Sequence, residues 1–171
     1  MKPNNFRTWA RKLQEALRTL ALQDFGYPLG TNEVREPISP TPRIPQGLVP
    51  LYAVSDGISL PDVHVGYFID SAERVASAAE RREPTRIEGC KPLDIHVFGS
   101  DGGGGRFALR VDDGSVYYLP VAGAVKDGVF YEDSSVVARR IAETLPDFLW
   151  LLEADINAFV HNEQDHTYIV S

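Results

Sequence analysis

A chain of 171 residues with one cysteine, Cys90, cannot form an internal disulfide. Such thiol poverty fits a reducing compartment. No stretch approaches the ~20 consecutive apolar residues that cross a bilayer. Residues 1–14 carry no apolar run behind their basic residues, as a secretory signal requires. The expectation is a cytoplasmic location and no membrane partner. Zinc chemistry has little to draw on, because there is no His-Glu-x-x-His pair and no second thiol. His64, His96, His161 and His166 are scattered, and the last two are spaced so that they do not share a helix face. No metal and no cofactor are therefore expected. Ser55, Ser59 and Ser100 lack a Gly-x-Ser-x-Gly context, and no nucleophile–base set is visible. The chain is expected not to be an enzyme.

What is present is ordinary globular material, 43% apolar and 24% charged. At this length it can bury a core without staples, so residues 1–171 are read as one domain. The acids outnumber Lys and Arg, leaving a formal charge of -7. An acidic surface repels phosphate backbones and argues against nucleic acid. It steers the chain toward a basic protein partner, although solubility alone also favours such a charge.

Phe6, Trp9, Leu13, Leu17 and Leu20 recur at helical spacing, which predicts a helix over residues 5–24. Asn4 or Asn5 would cap it, with Arg7, Arg11, Lys12 and Arg18 on its wet side. Residues 27–46 hold five prolines and read as an extended connector laid across the domain, with Val34, Ile38 and Ile44 touching down. A short helix follows over 48–54, with Pro50 in its first turn. Residues 63–69 read as a strand. Asp70 and Glu73 form a capping-box pattern for a helix to about residue 80, and 81–91 reads as a loop. Residues 93–121 read as an antiparallel meander. In it Phe107, Leu109 and Val111 face inward, and the turn falls at Asp112-Asp113-Gly114-Ser115. Residues 129–131 suggest another strand, and 136–141 fit either strand or helix. Thr144, Pro146 and Asp147 open an amphipathic helix to about residue 160. A polar tail occupies 161–171.

Gly99 to Gly105 invites a phosphate-binding reading, since bare N–H groups can cradle an anion. A P-loop, however, needs Gly-Lys-Ser/Thr leading into a helix, and here the run leads into a strand. Asp101 is expected to bond its own turn rather than a metal. The acidic pairs Asp112-Asp113 and Glu132-Asp133 lie in connecting segments where adjacent carboxylates diverge. Together with Asp101 they are the candidate partner contacts.

These segments resemble a known family. Ile44-Pro45, the short helix closed by Asp56-Gly57, and Gly66-Tyr67-Phe68-Ile69 before a capped helix are similar to its entry. The block Phe98-Gly99-Ser100-Asp101-Gly102-Gly103-Gly104, followed by Phe107-Ala108-Leu109 and Gly114-Ser115-Val116-Tyr117, resembles its core hairpin. The Trp9 helix resembles its opening helix, and Phe148-Leu149 its closing one. This is the SUKH superfamily, which includes the yeast Smi/Knr cell-wall regulators. The resemblance covers mainly residues 44–160. It implies an α+β fold with a curved, mainly antiparallel sheet flanked by N- and C-terminal helices. It implies a protein-binding function, as an immunity protein that neutralises a toxin domain of a polymorphic toxin system. A regulatory or scaffold module is the alternative, and a small-ligand binder is a third. The family's recurrent positions fall on Asp56, Gly57, Gly99, Asp101 and Gly102, where glycine at a turn mainly serves the fold.

Overall fold

The computed structural model describes residues 3–89 and 91–170, with side chains from Phe6 onward. Cys90 and the side chains of Asn4 and Asn5 lie outside that description. The chain is α+β: the described residues form four α-helices and ten strands, whose pairing is antiparallel except between two of them. In order they are α1 (Pro3–Leu20), β1 (Glu33–Val34), α2 (Val49–Tyr52), β2 (Ile58–Leu60), β3 (Tyr67–Ile69), α3 (Ala72–Ala76), β4 (Arg86–Glu88) and β5 (Leu93–Asp101). Then come β6 (Arg106–Arg110), β7 (Val116–Leu119), β8 (Ala124–Lys126), β9 (Val129–Tyr131), β10 (Arg139–Ala142) and α4 (Leu145–Val160).

The predicted stripe of α1 is buried in full, and its four cations are exposed. The helix stops at Leu20 rather than 24, where the next residues turn outward: Leu22 is 88% exposed, and the chain returns to the core only at Phe25. α1 packs on α4, where the Trp9 indole N–H donates to the Leu149 carbonyl at 2.8 Å. Lys12 Nζ lies 3.3 Å from the buried Glu153. Thr144 caps α4 by accepting from the Asp147 N–H, with Pro146 in the first turn.

Strand β5 is the axis of the sheet. One edge carries β6, β7 and β10 in turn. The other is shared along its length: the C-terminal end pairs β3, then β2 and β1, while the N-terminal end pairs β4, then β9 in parallel, then β8. Alternation then builds two cores. Phe107, Leu109, Val116 and Tyr118 face α1 and α4. Ala108, Leu119, Ile95 and Val97 face the opposite way, onto Ile87 of β4 and Phe130 of β9. This second core explains why Ala108 is buried although the half-buried pattern placed it outside. Val111, read as inward, is 52% exposed because β6 ends one residue earlier.

Other expectations shift in register. The short helix begins as a 3₁₀ turn at Gln46–Leu48, and Pro50 does lie in the first turn of α2. The strand expected over 63–69 is only β3, preceded by turns. The cap of α3 is Ser71, which accepts from the Arg74 N–H, and the helix stops at Ala76, just past its last buried residue, Val75. Asp70 instead pairs with Arg74 at 2.9 Å and Arg81 at 3.2 Å. The supposed loop 81–91 contains β4. The glycine run is part strand, since β5 continues through Asp101 and only residues 102–105 turn. Residues 136–141 resolve as extended chain leading into β10. The proline-rich connector is laid across the sheet and contributes β1. Val34 and Ile44 pack on the core, while Ile38 stays 42% exposed.

Candidate functional site

The Asp56-Gly57 pair is a junction of the fold. Asp56 Oδ1 accepts from the Ala72 N–H at 2.8 Å and so supports the start of α3. The Asp56 carbonyl accepts from Arg35 Nε, and Arg35 also donates to the Ile69 carbonyl, which ties β1 to β3. Gly57 sits at φ +93°, and a Cβ there would meet the Ile69 oxygen at 2.4 Å. Gly99 and Gly102 allow close passage past β3 and the turn before it. Their added Cβ atoms would lie 2.4 Å from the Phe68 oxygen and 2.1 Å from the Val65 oxygen.

Asp101, expected among the partner contacts, is 5% exposed. One carboxylate oxygen accepts from the Gly105 N–H and the other from the Tyr118 hydroxyl, each at 2.7 Å. It closes the β5–β6 turn, in accord with the turn-bonding expectation, and offers no oxygen to a partner. The turn's own donors are engaged as well: Gly102 N–H goes to the Gly66 carbonyl and Gly104 N–H to that of Asp101. The glycine run therefore presents no free cradle of N–H groups among these three residues. Asp101→Ala would strand two buried donors. We expect a loss of about 2–4 kcal/mol in urea unfolding, with partner binding unchanged in the fraction that remains folded.

The remaining acidic candidates lie at the two ends of β10. At its start, Glu132 accepts from the Ala138 N–H at 2.8 Å. Asp133 Oδ1 accepts from the Ser135 N–H and hydroxyl and the Val136 N–H. Those bonds, the Ser135 hydroxyl first, hold the Asp133 carboxyl below its usual range. At the other end is the β6–β7 turn. There Arg110 reaches Asp113 at 2.9 Å and Asp112 at 3.2 Å. The Ser115 hydroxyl and N–H hold Asp113 below its usual range, with smaller help from Arg110 and Arg140. Arg140 also pairs with Glu143 at 3.0 Å. Asp112, Asp113, Glu143 and Asp147 thus outnumber Arg110 and Arg140 at this end.

Strand β10 itself pairs only with β7, so its outer edge is open among the described residues. A register shift between Arg140 and Ala142 interrupts even that pairing. Beside it runs a groove of about 620 Å³ floored by Ile141 and Ala142 and walled by Trp150 and Leu151 of α4. Trp150 is 42% exposed, Leu151 40%, and Val137 just before the strand 53%. The sequence could not show this edge, because which strand ends a sheet depends on pairing order.

A second cluster went unread. Asp155, 1% exposed, accepts from the Tyr67 hydroxyl at 2.5 Å and the Ile169 N–H at 3.0 Å, and its other oxygen lies 2.7 Å from His166 Nε2. His64 stacks on Tyr168 at 3.9 Å and lies 2.9 Å from the Val170 oxygen. The polar tail is therefore strapped onto α4 and the loop before β3. One signal was available: Asp155 interrupts the apolar stripe of Leu152, Ile156 and Phe159. Among the described residues no Ser, Thr, Cys or Lys side chain is bonded to the His166–Asp155 pair.

Buried phenols give this fold an alkaline limit. Burial first, then the Asp155 hydrogen bond and charge, push Tyr67 far above its usual value of 10. Burial, then Asp70 and Asp56, do the same to Tyr52. Both groups stay neutral in the fold while the unfolded chain ionises. The stability they contribute is intact below pH 10 and falls above it, by about 1.4 kcal/mol per pH unit for each phenol. Urea midpoints measured from pH 8 to 11.5 should therefore hold level to about 10 and then drop steeply. Y52F should flatten that drop.

Among the described residues no group of three His, Cys, Asp or Glu side chains could hold a metal ion. No helix among them is long and apolar enough to cross a membrane. The chain matches no family model, no curated protein and no solved structure.

Proposed function

We propose that this chain is a protein-binding module that takes a basic partner along the open edge of β10, and that it is a SUKH-type immunity protein neutralising a toxin domain in the cytoplasm. The observation that carries the binding reading is the edge itself. A strand with one open edge lies beside exposed Trp150 and Leu151, with acidic segments at both ends. Open edges invite added strands, and natural proteins normally blunt them with charge. Arg139 and Arg140 blunt this one in part, but Arg140 is already held by Glu143, and the aromatic ledge alongside has no role in the fold's core. Exposed aromatics rimmed by charge are typical anchors of protein interfaces. The toxin assignment rests on the family resemblance and on the net charge of -7, which suits a basic effector.

Co-expression tests it. A toxin domain captured by the wild-type chain should be lethal alone and harmless beside it, and W150A should restore lethality. Capture of a non-toxic housekeeping protein through the same edge would move the reading to a regulatory module. Protection that survives W150A would sink the proposed face.

A further inference from the structure

A cavity of about 720 Å³ lies where the segment after α1 meets the end of α4 and the tail. Three rings wall it, one from each of those segments: Phe25, Phe159 and Tyr168. Each ring is only partly covered, and each is held by another. Phe25 stacks on Phe159 with centroids 5.9 Å apart and planes 14° apart. Tyr168 stacks on His64 at 3.9 Å and meets the His166 ring edge-on at 4.8 Å. Gln23 donates to the Val160 carbonyl and so ties the segment after α1 to the end of α4.

The charge around these rings is of one sign. Asp24 and Glu163 line the cavity, and no Lys or Arg does. Asp24 Oδ1 accepts from the Gly26 N–H at 2.9 Å, and no cation pairs with either carboxylate among the described residues. α4 also delivers its C-terminal end here, with the partial negative charge of that end and no basic residue in its last turn. The Tyr168 hydroxyl registers the field: burial first, then Asp155 and Glu163, push it above its usual value. Aromatic faces attract cations, and an alkylated ammonium brings methyl surface to the rings along with its charge. From the three rings and the uncompensated negative charge beside them, we infer that the cavity is a binding site for a small alkylated ammonium ion. Its methyl groups lie against Phe25, Phe159 and Tyr168, and Glu163 and Asp24 balance its charge. The volume falls within the range of small-ligand pockets, about 300–1,000 Å³. This site lies at the far end of α4 from Trp150 and does not depend on the protein-binding reading.

The test titrates the full chain with choline, with its uncharged isostere dimethylbutanol and with ammonium chloride, by calorimetry and by thermal shift at low salt. Choline should bind and raise the melting temperature, and the other two should do neither up to about 10 mM. F159L should weaken choline by about tenfold, because it removes one ring face. E163Q should weaken it by about threefold and E163K by about tenfold, in the order of the charge removed. Glu163 is exposed and its side chain bonds nothing among the described residues, so its two variants decide the matter alone if F159L fails to fold. Absence of choline binding at about 10 mM would overturn the site, as would binding that E163K leaves unchanged. An equal response to dimethylbutanol would overturn the cation assignment.

Discussion

Asp155→Ala should cost this protein about 3–5 kcal/mol, since it removes a buried acceptor and leaves its donors behind. Asp155 meets three groups from two segments: the Tyr67 hydroxyl of β3, and the Ile169 N–H and His166 of the tail. The carboxylate itself is 1% exposed, so the bonds it accepts are shielded from water on its side. A loss of that size is a large share of the stability of an ordinary domain. The effect should also be uneven. The tail keeps the stacking of Tyr168 on His64, the contact of His64 with Val170 and the packing of Ile169 and Val170 on the core. Limited proteolysis should therefore cut within 161–170 of the variant under conditions where the rest of the chain resists. Y67F makes the comparison, because it keeps the carboxylate, the Ile169 bond and the His166 contact, and should lose only about 1 kcal/mol. A D155A protein with a wild-type urea midpoint would show that the tail strap carries no stability.

The sequence disclosed what repeats and hid what depends on partners. α1 and α4 were legible because Phe6, Trp9 and Leu13, and Phe148, Leu152 and Ile156, mark one face at helical spacing over several turns. The meander of β5, β6 and β7 was legible because Phe107 and Leu109 alternate with their neighbours and Asp113-Gly114 signals the turn. β2, β4 and β8 are three residues each, too short for any period to register. α3 offered two adjacent cap residues, Asp70 and Ser71, and only the bond to the Arg74 N–H distinguishes them. Asp101 illustrates a different failure. A carboxylate in a glycine-rich turn reads as exposed, yet Tyr118, seventeen residues on, donates to it and draws it inside. Asp112 and Asp113 lie at one end of β10, and Glu132 and Asp133 at the other. That they border the same strand follows only from the pairing of β10 with β7.

Trp150→Ala should weaken the captured partner by about 2–4 kcal/mol, roughly thirty- to a thousandfold in Kd, while leaving the fold almost unchanged. The two halves of that statement rest on different observations. The binding half rests on Trp150 standing in the groove beside the open strand with Leu151 and Ile141, where an aromatic can be desolvated by an incoming chain. The folding half rests on the exposure of Trp150 and on its cation–π contact with Lys12, itself exposed, whose ammonium lies 4.8 Å from the ring centre. That contact is worth about 0.5–1 kcal/mol at an exposed site. L22A makes the control, since Leu22 is exposed far from the groove and should change nothing. Asp112→Lys probes the charge separately. Asp112 bonds only Arg110, whereas Asp113 also holds Ser115, so Asp112 can be reversed without dismantling the turn. It should slow association by about tenfold at low salt and lose that effect as salt rises, with little change in the dissociation rate. W150A binding at wild-type affinity would remove the β10 edge as the interface, and a D112K effect insensitive to salt would remove electrostatic steering from the account.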